Sequence, residues 1–211
     1  YSMDRDGAVT INEDADLNDK PKYAIDTKQL GGMYAGQITL VSTDRDRHIN
    51  HEGEIFASAG GVIINADGTI SNSGVINSNH ENANITVSAK KIDNSGTIST
   101  QHHQKVTAKE IINSGLMAAR GELSVKAKYL TLDQGSINAG RIDIMADELT
   151  NKGGKIVQTG SQTLEINADN FTNINNALVG SVPLDLSSGN NGENPTNPGD
   201  RPDPTEKEPI P

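Results

Sequence analysis

Five histidines are the side chains of this sequence best suited to acid–base or metal chemistry: His48, His51, His80, His102 and His103. The chain has no cysteine, so a thiolate nucleophile is excluded, and no Ser-His-Asp arrangement is evident. His80 and His102 each precede a Val/Ile-containing stretch, and stacking of those stretches would bring the two imidazoles together. Two histidines are fewer than the ligands of a zinc site. The sequence therefore predicts solvated loop histidines, no metal and no catalytic residue.

Two short motifs match ligand-binding loops only in part. Asp14, Asp16 and Asn18 have the spacing of the first ligands of a calcium loop, but the sixth position lacks glycine and the twelfth lacks glutamate. A solvated acidic turn is the simpler interpretation. Gly31 and Gly32 lack the spacing of a phosphate-binding loop and no helix is predicted after them, so no cofactor is predicted.

The elements that position these side chains form an internal repeat. Its clearest column is alanine, which recurs at steps of 23, 19, 19, 19 and 22 residues at Ala66, Ala89, Ala108, Ala127, Ala146 and Ala168. A β-branched residue stands two positions before each alanine, and the alternation continues towards the N-terminus with further aliphatic residues. Period-2 alternation over so few residues predicts short β-strands.

Asparagine forms the second column of the repeat. It falls five or six residues after the alanine and is usually followed by glycine two residues later: Asn72, Asn94, Asn113, Asn151 and Asn173. Leu132 interrupts this column. Asparagines that stack on successive coils can pair amide to amide along the axis, and we expect them to form an internal ladder.

A unit of about 20 residues with such short strands buries its apolar side only by stacking on copies of itself. A leucine-rich repeat has a similar period but requires several leucines per unit, whereas these columns are Ile, Val, Ala and Asn. The sequence therefore predicts an all-β fold, a right-handed parallel β-helix of seven or eight coils. We expect the alanines to be buried and to tolerate no larger side chain.

Charged residues follow the alanine column at the predicted turns: Asp67, Asp147, Asp169, Lys90, Lys109 and Lys128. We interpret them as a solvated rim that protects the sheet edges. The net charge of −10 argues against nucleic acid as a partner, and no apolar run approaches the 18 residues of a membrane span. Membrane insertion is therefore not predicted.

The first coil carries a resemblance to a known family. Ile25-Asp26 precedes the phrase Leu30, Gly31, Gly32, Met33, Tyr34, Ala35 and Gly36. This phrase resembles a segment that the filamentous haemagglutinin family of two-partner-secreted exoproteins carries just beyond its secretion domain. The later Asn-x-Gly-x-Ile phrases are similar to its haemagglutinin repeats, and the resemblance covers residues 23 to 179. We expect Met33 and Tyr34 to plug or align a coil.

The resemblance implies a shaft that is exported through an outer-membrane secretion partner and displayed on the bacterial cell surface. It implies adhesion to a receptor or glycan on host or neighbouring cells, or the stalk of a contact-dependent toxin-delivery protein. The segment Thr43 to His51 departs from the family pattern, and a charged loop is expected there. A β-helical polysaccharide lyase is the alternative from another class, but it needs acids and a base clustered by long loops.

Three segments are predicted along the chain. Residues 1–22 form a polar N-terminal segment with at most a partial coil, and residues 23–186 form the β-helix of haemagglutinin-type repeats. Residues 187–211 hold six of the eight prolines and are predicted to be a disordered Pro/Asn/Gly-rich tail or linker, because proline cannot donate to a sheet ladder. No enzymatic activity is predicted for any of the three.

Overall fold

The computed structural model describes residues 2–3, 9–10, 22–27, 31–44 and 47–182, and this part of the chain contains strands but no helix. The predictions for residues 11–20, for Leu30, for the end of the β-helix at residues 183–186 and for the tail at residues 187–211 lie outside the described residues. The strands are β1 Ser2–Met3, β2 Val9–Thr10, β3 Tyr23–Thr27, β4 Gly32–Ser42, β5 His48–His51, β6 Glu54–Asn72, β7 Val75–Ser78, β8 Ile85–Asn94, β9 Thr97–Thr100, β10 Gln104–Asn113, β11 Leu116–Asp133, β12 Ser136–Lys152, β13 Lys155–Gln158, β14 Glu165–Ile174 and β15 Leu178–Ser181.

Strands β3 to β15 stack as a parallel β-solenoid of about seven turns, with coils of about 21 residues, which confirms the predicted fold class. β1 and β2 form a separate antiparallel pair. No helix in the described part of the chain has the length and apolarity needed to cross a bilayer.

Each coil contributes to three walls of parallel strand segments. The first wall stacks residues 33–35, 55–57, 75–78, 97–100, 116–119, 136–139, 155–158 and 178–181. The second stacks 37–42, 61–66, 85–89, 104–108, 123–127, 142–146 and 165–168. The third stacks 23–27, 48–51, 70–72, 92–94, 111–113, 130–132, 149–151 and 171–173.

The core is a column of aliphatic side chains inside these walls. Because side chains alternate along a strand, every second residue points inward, and Ile76, Ile98, Met117, Ile137 and Ile156 are all fully buried in successive coils. Burying one such side chain contributes about 1.5 to 3 kcal/mol. Small coils can therefore be stable without aromatic residues, as long as each is covered by a neighbour.

The three corners of a coil differ in how the chain turns. Strands bend from the second wall to the third without a loop, at the alanine column, as in β8 and β10. The first and second walls are joined by loops of variable length, such as 79–84, 101–103 and 159–164. The coils with periods of 22 and 23 residues are those with the longer loops. Variation in this corner leaves the register of the walls unchanged.

The alanines occupy equivalent positions in register from Ala66 to Ala168. Four of the six are buried, whereas Ala89 and Ala168 are half-buried. The expectation of a charged loop at Thr43 to His51 is wrong for its last four residues, because His48–His51 forms strand β5 and pairs with both neighbouring coils. An ion pair of 2.8 Å between Arg47 and Asp44 precedes this strand.

Candidate functional site

The corner between the third and first walls contains a ladder of buried amides. Asn72 Nδ2 donates to Asn94 Oδ1 at 2.7 Å, and Asn94 Nδ2 donates to Asn113 Oδ1 at the same distance. Farther along the chain, Asn151 Nδ2 donates to Asn173 Oδ1 at 2.9 Å. Asn72, Asn94, Asn113 and Asn151 are at most 1% exposed. Each asparagine side chain in such a ladder binds the coil that follows it.

The same Nδ2 groups also satisfy the backbone of the next coil. Asn94 Nδ2 lies 3.3 Å from the carbonyl oxygen of Leu116, and Asn113 Nδ2 lies 3.1 Å from that of Ser136. These carbonyls occupy one position, the first residue of the first-wall strand. A buried carbonyl without a donor costs about 1 to 3 kcal/mol, so the ladder stabilises a corner where the chain leaves the sheet.

Leu132 divides the ladder into two runs. It stands in register between Asn113 and Asn151 and is fully buried. A leucine has no donor, and Asn151 Oδ1 is accordingly buried without a hydrogen-bond partner. Asn113 Nδ2 donates only to backbone carbonyls.

His51 occupies the position of an asparagine in this column and was missed by the sequence reasoning. It is in register with Asn72 and is 1% exposed. Its Nε2 lies 3.1 Å from the carbonyl oxygen of Val75, the position that Asn amides bind in later coils. Thr27 Oγ1 lies against Nδ1, so the neutral tautomer with a proton on Nε2 satisfies both contacts. Burial lowers the pKa of His51, while the hydrogen bond to Val75 acts in the opposite direction.

Gly32 to Gly36 of the family phrase lie in the first coil, in β4. Met33 points inward and packs against the core, but Tyr34 is 66% exposed. Of the expectation that Tyr34 plugs or aligns a coil, the first alternative is wrong, because strand alternation places the side chain on the outer face. Its hydroxyl donates to the Glu54 carboxylate, and its ring lies 6.4 Å from that of Phe56. This hydrogen bond raises the pKa of Tyr34.

The remaining histidines do not assemble a metal site. His102 has its Nδ1 2.8 Å from Asn84 Oδ1, and its ring centroid lies 3.8 Å from that of His103. His80 Nδ1 accepts a hydrogen bond from the backbone of Asn82. Within the described ranges, no three His, Cys, Asp or Glu side chains are grouped so that they could hold a metal ion.

A surface depression of about 400 Å³ at the corner of the first and second walls brings acidic and basic groups together, as a polysaccharide lyase would require. Its lining includes His103, Glu122 and Arg141. Arg141 lies 3.6 Å from the carboxylate of Glu122 and 3.3 Å from that of Glu165. His103 Nδ1 accepts a hydrogen bond from the backbone nitrogen of Glu122. These contacts link four successive coils, and this favours a structural role over acid–base chemistry.

Part of the sequence is similar to known proteins. It is 44% identical over 84 residues to Toxin CdiA of Yersinia pestis, which covers 40% of this chain and 2% of the relative. It is 42% identical over 57 residues to tRNA nuclease CdiA-2 of Burkholderia pseudomallei, covering 27% of this chain and 2% of the relative. It is 36% identical over 78 residues to tRNA nuclease CdiA of Escherichia coli strain STEC_O31, covering 37% of this chain and 2% of the relative.

Part of the chain is thus a homologue of CdiA toxins. The chain spans about 2% of the length of these relatives, so their names describe proteins far longer than the matched segment. No family model and no solved structure matches the chain.

Proposed function

We propose that this chain is a shaft and contact segment of a secreted bacterial exoprotein of the CdiA type, which delivers a toxin to neighbouring cells. The observation that supports it is the similarity to CdiA toxins in a chain that folds as a β-solenoid. This favours the toxin-delivery alternative over a general adhesin. Adhesion to host cells, through a receptor or a glycan, is the second candidate, implied by the resemblance to filamentous haemagglutinins.

The proposed role is mechanical and not enzymatic. Each coil adds about 4.8 Å along the axis, so about seven coils extend the shaft by roughly 34 Å. Continuous ladders on three walls and a buried amide corner make such a shaft stiff. An outer-membrane secretion partner would export it, and the shaft would hold a toxic region away from the surface of the producing cell.

A deletion that respects the coil period tests this role. Ala108 and Ala127 occupy equivalent register positions, so deleting residues 109–127 removes one whole coil and leaves every column aligned. Deleting residues 109–118 removes half a coil and places first-wall residues beneath the second wall. Both deletions are made in the full-length gene of the bacterium that carries it.

The assay is growth of a susceptible neighbour in co-culture, with surface display of the protein measured in parallel. We expect the whole-coil deletion to keep both display and inhibition, and the half-coil deletion to lose both. If the unmodified strain does not inhibit its neighbours, toxin delivery is refuted. If the whole-coil deletion is displayed but no longer inhibits, these residues make a specific contact and do not act as a shaft.

A further inference from the structure

The outer face of the second wall separates its charges along the solenoid axis. In the coils of β8, β10 and β11, the exposed charges on this wall and on its corner with the third wall are basic: Lys90, Lys105, Lys109, Lys126 and Lys128. In the coils of β12 and β14 they are acidic: Asp147, Glu148, Glu165 and Asp169, with the half-buried Asp143 beside them. We call these two groups the basic stripe and the acidic stripe.

Two outward columns carry most of this separation. One contains Lys105 and, two and three coils later, Asp143 and Glu165. The other is the position after each alanine, where Lys109 and Lys128 precede the aspartates. From the coil of β8 to that of β14, these columns therefore pass from lysine to carboxylate. The second column also begins with a carboxylate, Asp67 in β6.

Lys128 interacts with Tyr129 and with Asp147 and Glu148 of the next coil, but the basic stripe also contains lysines without an ion pair. Lys91, Arg141 and Lys152 form ion pairs with neighbouring coils. By contrast, Lys105 and Lys109 have no ion pair with any described residue, although their side chains are exposed. Their charge is therefore available to a partner.

A second copy of this chain fits the pattern. Two copies can face each other through this wall with their solenoid axes antiparallel. A two-fold axis that lies between the two faces and runs along the strands then places each outward column opposite the same column of the other copy. With that axis between the coils of β11 and β12, Lys109 lies opposite Asp169 of the second copy and Lys105 lies opposite Glu165. Lys128 then lies opposite Asp147, and symmetry repeats every pair.

The coil spacing and the centre of the surface also agree with this arrangement. Both copies have the same spacing of about 4.8 Å, so the pairs stay aligned over several coils. Met145 is 48% exposed next to the axis, and in this arrangement it lies opposite Lys126 of the second copy, whose aliphatic stem it can contact. A linear polyanion is disfavoured, because after three coils along the same columns it would meet the acidic stripe.

We propose that this face of the second wall binds a second copy of the chain in an antiparallel, two-fold-symmetric contact. The face measures roughly 300 Å² per copy, from its width of five residues and four coils. Contacts of this size belong to the weak, transient class. The association is expected at high local protein concentration and should weaken as salt screens the exposed charges. It goes beyond the shaft role and does not depend on it.

Charge exchange on the purified 211-residue chain tests the contact. One variant carries Lys105→Glu and Lys109→Glu, and a second carries Glu165→Lys and Asp169→Lys. A third carries all four changes and keeps the net charge of −10. Sedimentation equilibrium at low salt and protein concentrations up to about 1 mM measures association, and circular dichroism verifies the fold.

We expect each double variant to associate at least tenfold more weakly than the parent. An equimolar mixture of the two double variants and the fourfold variant should both recover association, since opposite charges face each other again. The variant with Glu165→Lys and Asp169→Lys is decisive. Its lower net negative charge would strengthen non-specific association, whereas the proposed contact predicts weaker association. Stronger association of that variant than of the parent overturns the proposal.

A monomeric parent at the highest concentration also overturns the proposal. Inorganic polyphosphate is added to distinguish the other occupant. If the parent is monomeric, binds polyphosphate and loses that binding in the Lys105→Glu, Lys109→Glu variant, then the basic stripe binds an anionic chain and not a second copy.

Discussion

Replacing Asn113 by aspartate changes one amide of the buried ladder into a carboxyl group with almost no change of shape. Oδ1 of Asn113 accepts from Asn94 at 2.7 Å, and an aspartate keeps this contact. Nδ2 donates to Gly115 at 3.2 Å and to Ser136 at 3.1 Å, and an ionised aspartate would aim an oxygen at both carbonyls instead. The variant therefore loses donors at a position that is fully buried.

The expected loss follows from the two protonation states open to the introduced carboxyl group. Leaving buried carbonyls without a donor costs about 1 to 3 kcal/mol, before any cost of burying charge. Protonation avoids the buried charge and restores one donor. A carboxyl group with a pKa of about 3.9 is about three pH units from protonation at pH 7, and at about 1.4 kcal/mol per unit this costs about 4 kcal/mol. We therefore expect a loss of about 2 to 4 kcal/mol at pH 7.

The pH dependence gives the substitution a second signature. The folded-state pKa of the introduced carboxyl group is raised above its unfolded value, so the folded state binds more protons between those two values. Relative to the parent, the stability of the variant should then rise as the pH falls from 7 towards 5.

Urea unfolding followed by circular dichroism at pH 7 and pH 5 measures both effects. Asn138→Asp is the matched control, because Asn138 is exposed on the outer face of the first wall. Equal unfolding midpoints for the two variants at pH 7, or a loss of stability for Asn113→Asp relative to the parent towards pH 5, would refute the buried-donor argument.

Three further perturbations test neighbouring columns. Gly115→Ala should lower the free energy of unfolding by at least about 1 to 3 kcal/mol, the usual cost of overpacking, because its Cβ would lie 2.0 Å from the Gly96 carbonyl oxygen. Gly180→Ala is the control, since nothing lies within 4 Å of its Cβ position, and it should leave the thermal melt almost unchanged. Burial lowers the pKa of His51, so as the pH falls the unfolded chain binds a proton at this residue before the folded chain does. Stability should therefore fall as the pH drops below about 6.5. His51→Asn should reduce this pH dependence when unfolding is measured in urea. Ala127→Leu should cost about 1 to 3 kcal/mol, and an unchanged melting temperature would show that the corner has room for a larger side chain.

Much of the fold could be predicted from spacing alone. The returns from Ala66 to Ala168 have a nearly constant period, and the alternation around them defines strands, so a parallel β-solenoid was the consistent solution. Most of the variation in coil length lies in the loops between the first and second walls, and the other corners vary by about one residue, so the columns stay readable. Stacking also makes the asparagine column visible in sequence, since like residues must fall at like positions.

The functional details of the first coils could not be predicted in the same way. His51 was treated as a loop histidine because it interrupts the asparagine column with a different residue type. The sequence does contain one indication of its position: His51 stands 21 residues before Asn72, about one coil, and so falls in the asparagine column. The motif suggests that Met33 and Tyr34 act together to plug or align a coil, whereas alternation along β4 puts Met33 inside and Tyr34 outside.

The separation of charge on the second wall could be seen only after the register was known. In the sequence, Lys109 and Asp169 are simply two residues that follow alanines. That they belong to one column, with lysine in one coil and aspartate in a later one, becomes visible only when the coils are stacked and the column is followed along the axis. Sequence patterns therefore identified which residues share a column, whereas the structure showed which face each column occupies.

The short distance between paired residues has a consequence for the order in which the solenoid folds. Its strand pairings join residues between 19 and 25 positions apart, as in Val106 with Val125 and Tyr23 with His48. A coil can therefore dock on its predecessor once about 20 further residues are free, without waiting for the rest of the chain. A chain that emerges from a narrow channel could build its shaft one coil at a time, and each docked coil would hinder the chain from sliding back.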